Sequence, residues 1–311
     1  MNLRKNGVSS TKKAKTKIKP LFIGFGKQAL EYARVMDYYN IGIEGVCVRN
    51  LNKDQKKINR YKIKNCYINI EKALNDKKFN CVFVFLPWNI IEKKISKIIK
   101  LTKKPIFVEK PIALSTKKLS QICKISNKFN KKIFVLYNRR YFQSIEFLKN
   151  KIKNKKPLFK IFIPEKKNFL IKNFDNRLKK NIRFHLTSHW IDFFSYLFNK
   201  KILSFQKKNS QYFFYFSKNK KINYIKLEYD ASGFIESKIK INKKEYYFNK
   251  LEYLYEFKDN KFKLLINENR LNQFKPGIKK LIYSLKNKKK LIIPKVNELK
   301  KLYFFLGKLP Y

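Results

Sequence analysis

Two histidines, His185 and His189, stand four positions apart in a chain that has no others. On a helix that spacing puts both imidazoles on one face, and imidazole gives and takes protons near neutral pH. A second group with chemical potential is Lys110, in Glu109-Lys110-Pro111. The chain carries 75 lysines and arginines, so most of its cations need no individual explanation. Lys110 differs by position. It closes the apolar run Pro105-Ile106-Phe107-Val108 and precedes Ile112-Ala113-Leu114 and a helix start at Ser115. That is the carboxyl end of a buried parallel strand, where open α/β sheets bind their ligands. Pro111 then fixes φ in the next residue. A third group is Gly24-Phe25-Gly26-Lys27-Gln28-Ala29, directly after Leu21-Phe22-Ile23. It fits the G-x-G-x-x-G/A dinucleotide turn. The first glycine permits the turn, the second lets backbone approach a pyrophosphate, and the third small residue lets helix and strand pack closely. The amino terminus of the helix then faces the phosphates.

The elements that must position these groups alternate regularly through the amino-terminal half. Strands are expected over 21–23, 43–48, 65–70, 81–86, 106–108 and 132–137, with helices between them. The helix after Trp88 presents Ile90, Ile91, Ile95, Ile98 and Ile99 on one face, and another runs from Ser115 to about Phe129. Apolar runs without polar alternation imply a parallel sheet covered on both sides. Right-handed crossovers make it doubly wound. Beyond Pro157 the pattern changes to short alternating runs, over 160–163, 211–216, 222–229, 234–241, 245–248 and 261–266, which predict an antiparallel sheet. A helix over 184–198 interrupts them, and two helices near 277–287 and 296–306 close the chain. The organisation expected is a basic arm over 1–18, a dinucleotide-binding Rossmann domain over 19–140, and an α+β domain with a mostly antiparallel open sheet over 141–311.

The end of the second strand is where a carboxylate usually meets the ribose hydroxyls. Arg49 and Asn50 stand there instead, and the next acid is Asp54. An arginine at this point can pair a 2′-phosphate, which favours NADP over NAD.

The net charge of +54 invites a nucleic-acid reading, but the composition has a simpler origin. The chain has 8 glycines, where a usual share of ~7% would give roughly 20. The abundant Lys, Asn, Ile, Phe and Tyr share AT-rich codons. The lysines are spread along both halves rather than gathered in the patch or stripe that marks a nucleic-acid footprint. A positive field still attracts anionic substrates and cofactors. No apolar run approaches the length of a membrane span, and no secretory leader is read in residues 1–20. Cys47, Cys66, Cys81 and Cys123 show no metal-ligand spacing. They read as buried thiols in a reducing, cytoplasmic compartment.

Taken in order, the glycine turn, Glu109-Lys110-Pro111, Tyr137-Asn138-Arg139-Arg140 and His189-Trp190-Ile191-Asp192 resemble the Gfo/Idh/MocA oxidoreductases, named for glucose–fructose oxidoreductase, inositol dehydrogenase and a rhizopine-catabolism protein. The resemblance covers the chain after residue 18. It implies a Rossmann domain followed by an α/β domain whose open sheet often forms a homo-oligomer interface. The implied activity is hydride transfer between NAD(P) and a sugar, nucleotide-sugar or cyclitol. Lys110 takes the place of the family's catalytic lysine and His189 that of its general acid/base. The family usually has an aspartate four residues before that histidine, and here it is His185. The cofactor would meet Gly24, Phe25, Gly26, Lys27, Gln28, Ala29, Arg49, Asn50, Pro87, Trp88, Glu109 and Lys110. The substrate would meet Asn138, Arg139, Arg177 and His185. Glu109 and Asn138 would orient Lys110 or touch the cofactor, and Asp192 would hold a nearby loop. The segment Phe274-Lys275-Pro276-Gly277 is similar to one in members from surface-glycan gene sets. Two other readings stay open: a nucleotide-binding protein of this fold without redox catalysis, and a basic nucleic-acid binder.

Overall fold

Six short strands alternate with helices to build the first sheet: β1 (Pro20–Ile23), β2 (Gly45–Cys47), β3 (Asn65–Tyr67), β4 (Cys81–Val84), β5 (Ile106–Glu109) and β6 (Ile133–Leu136). Their order is β3-β2-β1-β4-β5-β6, and every pairing is parallel. The computed structural model describes residues 17–165, 179, 181–232, 235–249, 251–287 and 293–309. Helices α1 (Lys27–Tyr38), α2 (Leu51–Arg60), α3 (Ile70–Asn75), α4 (Trp88–Leu101) and α5 (Thr116–Lys128) make the crossovers. Ser115 caps α5, its hydroxyl accepting from the Lys118 amide at 3.1 Å. Of the basic arm expected over 1–18, only Lys17 and Ile18 lie within the described residues, and Ile18 is buried in the core.

The central strands are apolar on both faces because both faces are covered. Leu21, Val82, Ile106 and Val108 enter one core, with the buried faces of α4 and α5. Phe22, Phe83, Phe107 and Phe134 lie opposite one another across four strands and enter the other, with α1. Their ring centroids are 5.4, 4.8 and 5.3 Å apart. This aromatic row fixes the register on which the strand ends depend.

Strand order reverses between β1 and β4, so their carboxyl ends open the crevice of a doubly wound sheet. Gly24 follows β1 with φ +89°, and a Cβ there would sit 2.8 Å from the Phe85 carbonyl oxygen. Only glycine combines that conformation with that approach. Gly24→Ala is expected to cost about 2 kcal/mol, read as a lower midpoint in chemical denaturation. An unchanged midpoint would show that the turn relaxes freely.

The second sheet has β7 (Leu158–Glu165), β8 (Ser204–Lys208), β9 (Gln211–Tyr215), β10 (Tyr224–Tyr229), β11 (Glu236–Ile241), β12 (Lys244–Asn249), β13 (Tyr253–Lys258) and β14 (Lys261–Asn267). Its order is β14-β13-β12-β11-β7-β10-β9-β8. Only β7 and β10 pair in parallel. Helix α6 (Gln143–Ile152) leads into β7, and α7 (Ile182–His185) and α8 (Thr187–Phe198) follow it. Helix α9 (Arg270–Lys286) returns to pack on α1, and α10 (Lys300–Gly307) packs on α5. The last segment of the chain therefore braces the first sheet.

Five expectations change. The helix expected over 184–198 is two helices, broken at Leu186. There Ser188 Oγ donates to the Phe184 carbonyl at 2.7 Å, and the His189 amide reaches only three residues back, to Leu186. Strands β8 and β13 and helix α6 were not anticipated. Helix α9 begins seven residues earlier than expected, capped by Asn269. Pro276 lies inside it, and Gly277 is there because a Cβ would meet the Tyr141 ring at 2.7 Å.

Candidate active site

Lys110 leaves the carboxyl end of β5 and points its Nζ at the carbonyl of His185, 2.9 Å away. That carbonyl is free to accept because α7 ends there. His189 lies one turn into α8, and its ring meets the edge of the Tyr137 ring at 5.8 Å between centroids. The Nδ1 atoms of His185 and His189 are both buried without a hydrogen-bond partner among the described residues. Trp88, the first residue of α4, lies against His185 with centroids 4.7 Å apart. Strand ends β4 and β5 thus meet α7 and α8 around one cluster.

Two further groups complete it. The 3-10 turn Asn138–Tyr141 follows β6 and carries Arg139, whose guanidinium lies over the Trp190 ring at 4.0 Å. Glu165 ends β7 and is buried. Thr187 Oγ1 donates to Glu165 Oε2 at 2.9 Å and lies equally close to the Tyr229 hydroxyl. The Trp190 indole donates to the same carboxylate. The sequence reading missed Glu165, Thr187, Trp190 and Tyr229 as site residues. One signal was available: Glu165 is the sole acid of an apolar strand and stands at its carboxyl end, the same position that singled out Lys110.

Burial dominates the electrostatics. It pushes the Lys110 ammonium down to about 7, against the pull of neighbouring Glu109 and with the push of Arg139. It raises Glu109 and Glu165 to about 7, against nearby Lys110 and, for Glu165, the Thr187 hydrogen bond and Arg139. Burial and then the charges of Lys110 and Arg139 hold both histidines well below their ordinary value, so both are neutral at pH 7. Near neutrality Lys110 and the carboxyls of Glu109 and Glu165, rather than a histidine, are balanced between their protonation states, and of these Lys110 is the one aimed at the histidines.

The other expected residues separate into groups. Asp192 takes the positioning role expected for it. It accepts from Arg140 Nε at 2.7 Å and pairs with Arg140 Nη2, which fixes the turn carrying Arg139. Asn138 lies instead beside Tyr32, Phe274 and Gly277 in a small apolar cavity. Glu109 bears on Tyr32 in that same layer, on the opposite side of the sheet from the histidines. Arg177 lies outside the described residues.

The glycine turn can receive a dinucleotide. A Cβ on Gly26 would meet nothing within 4 Å, so the surface in front of α1 is open. No side chain caps this helix and no acid occupies its first turn. Its first amides are therefore available to a pyrophosphate. Ala29 is fully buried, as close packing at the third position requires. Lys57 Nζ, on α2, donates to the Phe25 carbonyl at 3.3 Å and pairs with Asp54. Arg49, two residues after β2, is exposed. Asn50 spends its side-chain oxygen on the Lys53 amide as the cap of α2.

Residues 18–137 match the family model described as an oxidoreductase family with an NAD-binding Rossmann fold, Gfo/Idh/MocA. Through that segment the chain is similar to the NAD-binding Rossmann domain of the Gfo/Idh/MocA oxidoreductases. The full-length fold agrees. A dehydrogenase from Clostridium difficile superposes with a TM-score of 0.77 at 19% identity, over 94% of this chain and 98% of that one. A putative NADPH-dependent oxidoreductase from Desulfitobacterium hafniense gives 0.74 at 13% identity, with 94% of each chain covered. An oxidoreductase from Agrobacterium radiobacter, in complex with NAD+, L-tartaric acid and magnesium, gives 0.72 at 12% identity over 94% of each chain. Comparison with curated proteins returns no match. The matched family is one of NAD-binding oxidoreductases, and the Lys110 cluster lies at the carboxyl ends of the strands, where open α/β sheets bind ligands. No described helix is long and apolar enough to cross a membrane.

Proposed function

We propose that this chain transfers hydride between NADP and a CH–OH centre of a sugar, nucleotide-sugar or cyclitol, with Lys110 moving the proton. The observation that carries this reading is the half-buried Lys110, its Nζ fixed on the His185 carbonyl at 2.9 Å beside neutral His189. A bound nicotinamide supplies the hydride acceptor or donor. The protein's part is the proton. In oxidation, neutral Lys110 takes the hydroxyl proton as the carbonyl forms. In reduction, its ammonium donates to the developing alkoxide and stabilises that charge. Neutral His189 accepts a hydrogen bond from the substrate and fixes its orientation. His185 brings no negative charge to hold a proton on His189, so the acid/base duty moves to the lysine.

Other features support the finer points. Arg49 and Lys57, at the end of β2 and on α2, favour a 2′-phosphate. Arg49→Glu is expected to weaken NADPH at least tenfold while leaving NADH within about twofold, one lost charge-assisted contact being worth about 1.5–3 kcal/mol. Parallel fluorescence titrations check this, and equal losses for both cofactors would remove the NADP assignment. The four thiols are free, in keeping with a cytoplasmic protein. Leu158, Phe262 and Leu264 are exposed on the second sheet. Phe262 lies against Tyr247 and Phe257, on the face that a homo-oligomer would cover. A role in surface-glycan synthesis fits a nucleotide-sugar substrate.

The test is isotope transfer. NADPH carrying deuterium at nicotinamide C4, incubated with a panel of keto-sugars and nucleotide keto-sugars, should pass deuterium to carbon in at least one product, seen by mass spectrometry. Tight cofactor binding without transfer to any member would support a nucleotide-binding protein that has lost redox catalysis.

A further inference from the structure

Arg139 and Arg140 are adjacent cations with different surroundings. Arg140 meets Asp192 with both edges of its guanidinium. Among the described residues Arg139 has no such acceptor. Its Nη1 is fully buried and has no hydrogen-bond partner among the described residues. The carboxylate that bears on it, Glu165, is already engaged by Thr187 and Trp190. The Trp190 ring beneath it, 4.0 Å from Cζ, holds the guanidinium in place without accepting a strong hydrogen bond. A buried charged donor left unpaired is costly, and folding alone gives no reason to keep one. An arriving oxyanion would satisfy it, and arginine suits a planar carboxylate especially well.

The neighbours point the same way. Lys110 has three N–H donors and spends one on the His185 carbonyl. Lys110 ends β5 and Arg139 stands in the turn that follows the adjacent strand β6, so an anion on Arg139 would lie at the same strand ends as the proton-transferring nitrogen. Two cations face one carboxylate, Glu165, on this side of the sheet. That balance is neutralised by a single negative charge, whereas a phosphate dianion would leave one charge uncompensated.

We infer that Arg139 receives a substrate carboxylate, so that the substrate is a sugar acid of the uronic or aldonic type rather than a neutral sugar. This rests on the reading of the Lys110 cluster as a redox site. The carboxylate anchors one end of the molecule, and the hydroxyl to be oxidised then meets Lys110 and His189. Arg139 is a specificity-determining residue, and the glycine turn operates independently of it.

The experiment uses the full chain saturated with NADP+, with saturation first established by titration. Calorimetry then compares glucuronate with glucose and gluconate with glucitol, with inorganic phosphate and chloride at matched ionic strength as controls for simple anion binding. Each acid should bind at least tenfold tighter than its neutral partner, and the inorganic ions should not compete at equal concentration. In Arg139→Gln the acid preference should fall below threefold while NADP+ affinity stays within twofold. Arg139→Lys, which keeps the charge and removes the fork, should retain part of the preference. No acid preference in the wild type, a preference that survives Arg139→Gln, or displacement by phosphate alone would each overturn the inference. Failure of NADP+ to bind the wild type would instead defeat the redox reading, so the two failures are distinct.

Discussion

Lys110→Met should lower turnover by about 10³-fold, within the 10²–10⁴-fold range expected for removing a positioned proton-transfer group, while NADPH binds within about threefold of wild type. The expectation follows from how Lys110 is held. Its side chain is half-buried, it donates to the His185 carbonyl, and desolvation brings its ammonium down to about 7. Methionine fills much the same volume, so the fold should survive and the loss should fall on kcat. The pH profile follows with a definite sign. A base must be deprotonated to act, so kcat/KM for oxidation should rise with pH and level off above about 7. The reduction should show the mirror image, falling as pH passes about 7. Lys110→Arg keeps a cation that does not lose its proton in this range, so the oxidation limb should disappear along with most of the rate. A Lys110→Met variant with near-normal turnover and an unchanged profile would assign proton transfer to another group.

Asp192→Asn is expected to destabilise the protein by about 3–5 kcal/mol, the cost of leaving one member of a buried ion pair uncompensated. Asp192 is almost fully buried and Arg140 mostly so, at 3% and 14% side-chain exposure. The two charges join α8 to the turn Asn138–Tyr141. Chemical denaturation measures the loss. Pairing Asp192→Leu with Arg140→Met should recover much of it, because two apolar residues leave no orphan charge. The double variant should also loosen Arg139, raising KM more than it lowers kcat. A loss under about 1 kcal/mol for Asp192→Asn would mean that water reaches Arg140.

Much of this site could be read from the chain because it rests on strand ends. A buried parallel strand is a short apolar run, and whatever follows it is delivered to the ligand-binding edge. That logic put Gly24 and Lys110 at strand ends from local pattern alone, while Trp88 entered as a site residue only through the family resemblance. It applied equally to Glu165 at the end of β7, whose polar partners Thr187 and Tyr229 come from an interrupted helix and a strand far away in sequence. Their meeting is a tertiary event with no local signature. Helix α6 was legible and passed over, since Ile145, Leu148 and Ile152 recur at helical spacing. Strand β8, Ser-Phe-Gln-Lys-Lys in sequence, has too few apolar residues to announce itself and is recruited by pairing with β9. The break at Leu186 depends on a serine hydroxyl bonding to the carbonyl four residues earlier, in a segment whose apolar pattern runs on unbroken. Asn138 was placed correctly in sequence and on the wrong side of the sheet, because side chains alternate along β6 and its continuation.

The central claim is that a nicotinamide cofactor lies at the strand ends beside Lys110 and His189. The chain has only two tryptophans, and both flank that point: Trp88 against His185 and Trp190 beneath Arg139. Intrinsic tryptophan emission is therefore a reporter of this site alone. Titration with NADPH should quench it saturably, with energy transfer to the reduced nicotinamide, and the quench should weaken in Gly24→Ala. NADPH and NADH both failing to produce a saturable quench would contradict the account.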